Sequence, residues 1–150
     1  MWKFPFLPAL WILIAVPLLP QTQNERLSEE DPASLIGLSL TGLITRFGAP
    51  ESVYPVRGLE EWQDDVVFIY GDVVLFILKD RVWQLGLKSI GQVRTGDSRS
   101  AVSAAFGEAL YSGEDFAIYP FKGQNWPLAL RFNFDSDGRV SSIFVYRSDI

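Results

Sequence analysis

The sequence predicts an α+β fold: two tandem helix-β-β-β units whose strands join in an antiparallel sheet, with the helices packed on one face. Three observations carry that prediction. First, residues 37–50, GLSLTGLITRFGAP, return fifty-nine positions later as 96–109, GDSRSAVSAAFGEA, sharing Gly37 with Gly96, Ser39 with Ser98, and Phe47-Gly48 with Phe106-Gly107. Second, each copy reads as a short helix: a Ser or Asp to cap the first free N–H groups, an apolar stripe, and a terminating glycine. Leu40, Leu43, Ile44 and Phe47 make the first stripe, at the spacing of one buried helical face, and Val102, Ala105 and Phe106 the second. Third, β-rich runs follow each copy, and Phe76 with Phe134, Arg81 with Arg139 and Val82 with Val140 extend the match into them. At 48% hydrophobic residues, the 150-residue chain has ample material for a core.

Taken in order, residues 1–24 have the shape of a secretory signal: Lys3 near the start, an apolar run over 4–19, then polar 21–24. Pro5, Pro8, Pro17 and Pro20 weaken a spanning helix, and an uncleaved anchor through 4–19 is the alternative to cleavage. Residues 25–31 are expected to be a linker, 32–90 the first unit and 91–150 the second. Asp31-Pro32 starts a short helix over 32–36, as cap and first helical position. The main helix follows from Ser39, at a cost of about 1 kcal/mol for Gly42 inside it, and stops at Gly48-Ala49-Pro50. A loop is expected over 51–65. Strands are expected over 66–70, 73–78 and 82–87, linked by Gly71-Asp72 and by Lys79-Asp80-Arg81. In the second unit they are expected over 116–119, 128–134 and 140–146, the last two joined by the turn residues Asp135-Ser136-Asp137-Gly138.

Composition excludes more than it assigns. With no cysteine there are no disulfides, thiolate metal sites or cysteine nucleophiles. With no histidine the usual neutral-pH general base, the commonest metal ligand and every Ser-His-Asp arrangement are gone. The formal charge of −5 argues against non-specific nucleic-acid binding. No cofactor and no metal is expected. Asn133-x-Asp135-x-Asp137-Gly138 resembles the opening of a calcium loop, but Phe144 occupies the position of the closing bidentate carboxylate. Gly91-x-x-x-x-Gly96 lacks the Lys-Ser/Thr of a phosphate loop. The pairs Glu60/Glu61 and Glu114/Asp115 are the carboxylates an acid–base enzyme would use, and adjacent loop carboxylates are ordinarily just solvated.

Aromatic side chains are numerous for an acidic domain. Trp62, Trp83 and Trp126 are the ones expected to stay partly exposed, as protein-recognition residues. Alternation assigns Leu128, Leu130, Phe132 and Phe134 to the core, and Arg131, Asn133 and Asp135 to water. Aligned on this strand, Val73, Leu75 and Ile77 take the water-facing places. They are therefore the expected apolar contact strip, for another protein or for self-association, unless the 51–65 loop or the export segment covers them.

Leu35-Ile36-Gly37-Leu38-Ser39, with Leu43 and Phe47-Gly48-Ala49-Pro50 and three strands after it, resembles the module of the small BamE/SmpA/OmlA envelope proteins. The duplicated arrangement is similar to that of the beta-lactamase inhibitory proteins. The second copy departs, with Glu108-Ala109 where Ala49-Pro50 stands. The resemblance implies an exported, periplasmic or envelope protein that binds other proteins and catalyses nothing. Lipid-anchored members carry an N-terminal cysteine, which this chain lacks. The expected function is a non-catalytic protein-binding or envelope-assembly module. A small-ligand binder using an aromatic groove is the second reading, and an enzyme with carboxylate chemistry the third.

Overall fold

Among the described residues eight strands form one antiparallel sheet, and its centre is the seam where the two halves of the chain meet. In the computed structural model the described residues are 27–57 and 65–150. Their helices are α1 (Pro32–Leu35), α2 (Leu40–Phe47) and α3 (Arg99–Phe106). The strands are β1 (Ser52–Val56), β2 (Asp65–Tyr70), β3 (Val73–Leu78), β4 (Arg81–Leu87), β5 (Ser89–Ile90), β6 (Val93–Arg94), β7 (Tyr111–Ser112), β8 (Phe116–Phe121), β9 (Leu128–Phe134) and β10 (Val140–Arg147). The large sheet runs β1-β2-β3-β4-β10-β9-β8-β7, and β5 and β6 form a separate two-stranded ribbon.

The expected α+β architecture is thereby corrected: the protein is mostly β, and its helices do not form a layer on the sheet. The physical reason is length. Ser39 accepts from the Gly42 N–H and Ser98 from the Ala101 N–H, while Gly48 and Gly107, both at φ +76, end the helices after eight residues. Eight residues rise about 12 Å, whereas eight strands span about 34 Å at their usual spacing. The helices contribute a few plugs instead: Leu43, Phe47 and Val102 are buried, and the Phe106 ring lies 5.3 Å from that of Phe132.

Most of the core comes from the sheet. Leu75 pairs with Leu85, Leu85 with Val145, and Val145 with Leu130, a row across four strands in which every side chain is fully buried. Burial of this kind stabilises by about 1.5–3 kcal/mol for each aliphatic side chain. Leu27, in the stretch read as a linker, is also buried, and Glu30 pairs with Arg46 at 2.7 Å. The stretch read as a loop over 51–65 contains β1. Pro55 masks that strand in the sequence, yet an edge strand tolerates proline.

Each α2-type helix is latched to a hairpin in the same way. The Gly37 N–H donates to Val82 O at 2.8 Å, and Arg81 Nη1 donates to Gly37 O at 2.9 Å. The Gly96 N–H donates to Val140 O at 2.8 Å, and Arg139 Nη1 to Gly96 O at 3.0 Å.

Candidate functional site: the outer face of the sheet

Among the described residues, the buried side chains of all three helices join the core that the Leu75–Leu85–Val145–Leu130 row belongs to. The alternate side chains point the other way. Along one row across the strands these are Val74, Gly86, Phe144, Arg131 and Ile118; along the next, Phe76, Gln84 and Tyr146. Trp83 joins them because β4 carries a bulge there, Phe76 pairing with Gln84 but Ile77 with Val82.

These residues make an aromatic strip. The Phe76 ring lies 6.5 Å from Trp83 and 6.2 Å from Phe144, both edge-on, the geometry the ring quadrupoles favour. Gly86 permits it: a Cβ there would stand 3.3 Å from Val74 Cβ and 3.4 Å from Phe144 Cε1. Trp83 is fixed further by its indole N–H, which donates to Asp65 Oδ2 at 3.0 Å.

Phe144 divides two shallow depressions. One, of about 520 Å³, has Ile69, Val74, Phe76 and Gly86 for its floor, with Lys88 and Asp72 paired at its rim. The other, of about 430 Å³, is bounded by Trp83, Gln84, Arg131, Asn133 and Tyr146. Arg131 is held rather than mobile. Its Nε donates to Asn133 Oδ1 at 2.7 Å, Asn133 Nδ2 donates to Ser142 Oγ at 2.8 Å, and the guanidinium lies 3.9 Å over the Phe116 ring.

The contact strip expected at Val73, Leu75 and Ile77 is corrected. All three are buried on the core side, and their neighbours Val74 and Phe76 face outward. The reason is one residue of turn. Ile77 and Phe134 are the equivalent residues, since they pair with Val82 and Val140, but Ile77 lies five positions before its partner and Phe134 six. A one-residue slip exchanges the two faces of a strand. Of the expected tryptophans, Trp83 lies on the outer face and Trp62 falls outside the described residues. Trp126 lies elsewhere, half-buried beneath Arg147 at 3.7 Å and against Gly37. Arg147 donates to both carboxylate oxygens of Asp149, which holds that carboxyl below the usual range.

The calcium-like run is a hairpin turn, in which Asp135 Oδ1 accepts from the Asp137 and Arg139 N–H groups at 3.0 and 2.9 Å. Glu60 and Glu61 lie outside the described residues, and Glu114 uses its backbone carbonyl to accept from Arg99. Sequence reasoning missed Val74, Phe76, Phe144 and Arg131. The unequal hairpin turns were the signal that could have found the first two.

No protein-family model matches the chain, and no curated protein matches it by sequence. Among solved structures it is similar to an extracellular protein containing an SCP domain from Bacillus anthracis, at 13% identity and a TM-score of 0.48 over 80% of this chain. The chain spans 48% of that protein's length. It is also similar to a DUF4309 family protein, YjgB, from Bacillus subtilis, at 15% identity and a TM-score of 0.45, covering 73% of this chain and 78% of that one. Neither likeness defines an activity.

Proposed function

We propose that the protein is an exported, non-catalytic binding module of the cell envelope, and that a second, different protein docks on the outer face of its sheet. The observation that carries the reading is the Trp83–Phe76–Phe144 strip with Val74 and Ile69 beside it, half-buried and overlaid by no helix among the described residues. Aromatic anchors that a docking partner covers supply a large share of the energy of protein interfaces. Charge indicates the kind of partner. Lys88 and Asp72 satisfy each other at the rim of the larger depression, so its floor suits an uncharged apolar protrusion. Export rests on the order of charged, apolar and polar regions in residues 1–24, which lie outside the described residues; among those described, no helix is long and apolar enough to cross a membrane. The resemblance of residues 35–50 to the BamE/SmpA/OmlA module supports the same reading.

Site-specific photo-crosslinking in the native cell tests it, with a photoreactive side chain at Val74, at Phe144 and, as control, at Ser100 on the exposed side of α3. The expected result is a discrete adduct from the first two positions and none from the third. Excess unlabelled protein should suppress it, and excess V74N/F144N protein should not. An adduct at twice the protein's own mass would overturn the reading in favour of self-association. Adducts indifferent to position or competitor, or none at all, would remove the docking face.

A further inference from the structure

Arg131 uses its fork differently from Arg46, Arg81, Arg99, Arg139 and Arg147. Arg81, Arg139 and Arg99 give theirs to backbone carbonyls, and Arg46 and Arg147 to carboxylates. Arg131 is anchored at Nε alone, and among the described residues neither terminal nitrogen meets an acceptor and no carboxylate comes within ion-pair distance. The anchoring is thorough, because Asn133 is itself fixed by Ser142 and the guanidinium plane rests on Phe116. Two parallel N–H donors held in one plane are the complement of a carboxylate. A side chain immobilised in advance also loses little further freedom when it binds.

The surroundings supply the rest of a small-molecule site. The depression of about 430 Å³ places Trp83, Phe144 and Tyr146 around the arginine, with the Gln84 amide between them. That volume lies in the range of small-ligand sites, and the lining sets aromatic rings beside the fixed polar groups of Arg131 and Asn133. We infer that this depression binds a small carboxylate carried on a flat apolar body. The carboxylate takes the two terminal nitrogens of Arg131, and the body lies against Trp83 and Tyr146. This site is distinct from the apolar depression on the other side of Phe144 and does not depend on a protein partner.

Calorimetric titration of the full chain with phenylacetate, and with phenylacetamide as its uncharged isostere, tests the assignment. Phenylacetate should bind saturably and at least about ten-fold tighter than the amide. Arg131→Gln should weaken phenylacetate by about ten-fold and leave the amide unchanged, while Arg131→Lys, which keeps the charge and loses the fork, should fall between. The Arg131 Nε–H resonance should shift on titration in the unmodified protein. An acid-to-amide ratio near one in the unmodified chain overturns the proposal without any variant. So does a preference for the acid that survives Arg131→Gln in a folded protein, or an Arg131 resonance that does not move.

Discussion

Gly37 and Gly96 hold the same left-handed backbone, at φ +86 and +92, and differ in what stands beside them. A Cβ on Gly37 would fall 2.4 Å from Trp126 Nε1, whereas one on Gly96 meets nothing within 4 Å. Gly96→Ala is therefore expected to cost only the backbone strain, about 1–2 kcal/mol. Gly37→Ala must also push Trp126 from its place under Arg147, and should cost at least about 1 kcal/mol more. Urea denaturation of both variants measures the difference, and Trp126→Ala in the Gly37→Ala background should recover most of it. Tyr70 offers a second test at this scale. Its hydroxyl donates to Gly48 O at 2.8 Å, and burial raises the phenol above its ordinary pKa. A folded-state pKa raised above the unfolded one gives stability that is complete below about pH 10 and is lost as pH climbs through the folded value. Denaturation midpoints of the parent should fall across that alkaline window, and those of Tyr70→Phe should fall less.

The β3–β4 connection is the element on which the two faces of the sheet depend. Lys79 and Asp80 both sit at positive φ, 48° and 67°, which is the backbone of a two-residue hairpin turn that favours Asn-Gly. Replacing them with Asn and Gly should stabilise the protein by about 0.5–1 kcal/mol, read as a rise in thermal midpoint, and a fall would mean that the turn is held by something other than its own geometry. Elements written in local chemistry were legible in the sequence: the Ser39 and Ser98 caps, the Gly48 and Gly107 stops, and the strands from β2 to β4 and from β9 to β10. Those that depend on distant partners were not. Pro55 hides β1 because nothing local says that its missing N–H lies on an edge. The bulge that turns Trp83 outward is invisible because any residue of β4 could have absorbed the extra position. Arg131 reads as an ordinary solvated cation until Phe116 and Ser142 are brought beside it from neighbouring strands.

At the scale of the whole molecule one assignment decides the rest: the sheet has a core face through Leu75 and an outer face through Val74. Everything proposed for the outer face fails if these two neighbours are exchanged. Leu75 is fully buried, and Leu75→Asn both empties its volume and buries an amide, at about 3–5 kcal/mol. Val74 is half-buried over Gly86, and Val74→Asn should cost about 1 kcal/mol. Thermal denaturation of the two single variants beside the parent tests this directly. The expected result is a midpoint within about 4 °C of the parent for Val74→Asn, and a loss of about 10 °C or more, or no cooperative transition, for Leu75→Asn. A Leu75→Asn protein as stable as the parent, with Val74→Asn the one that unfolds, would contradict it.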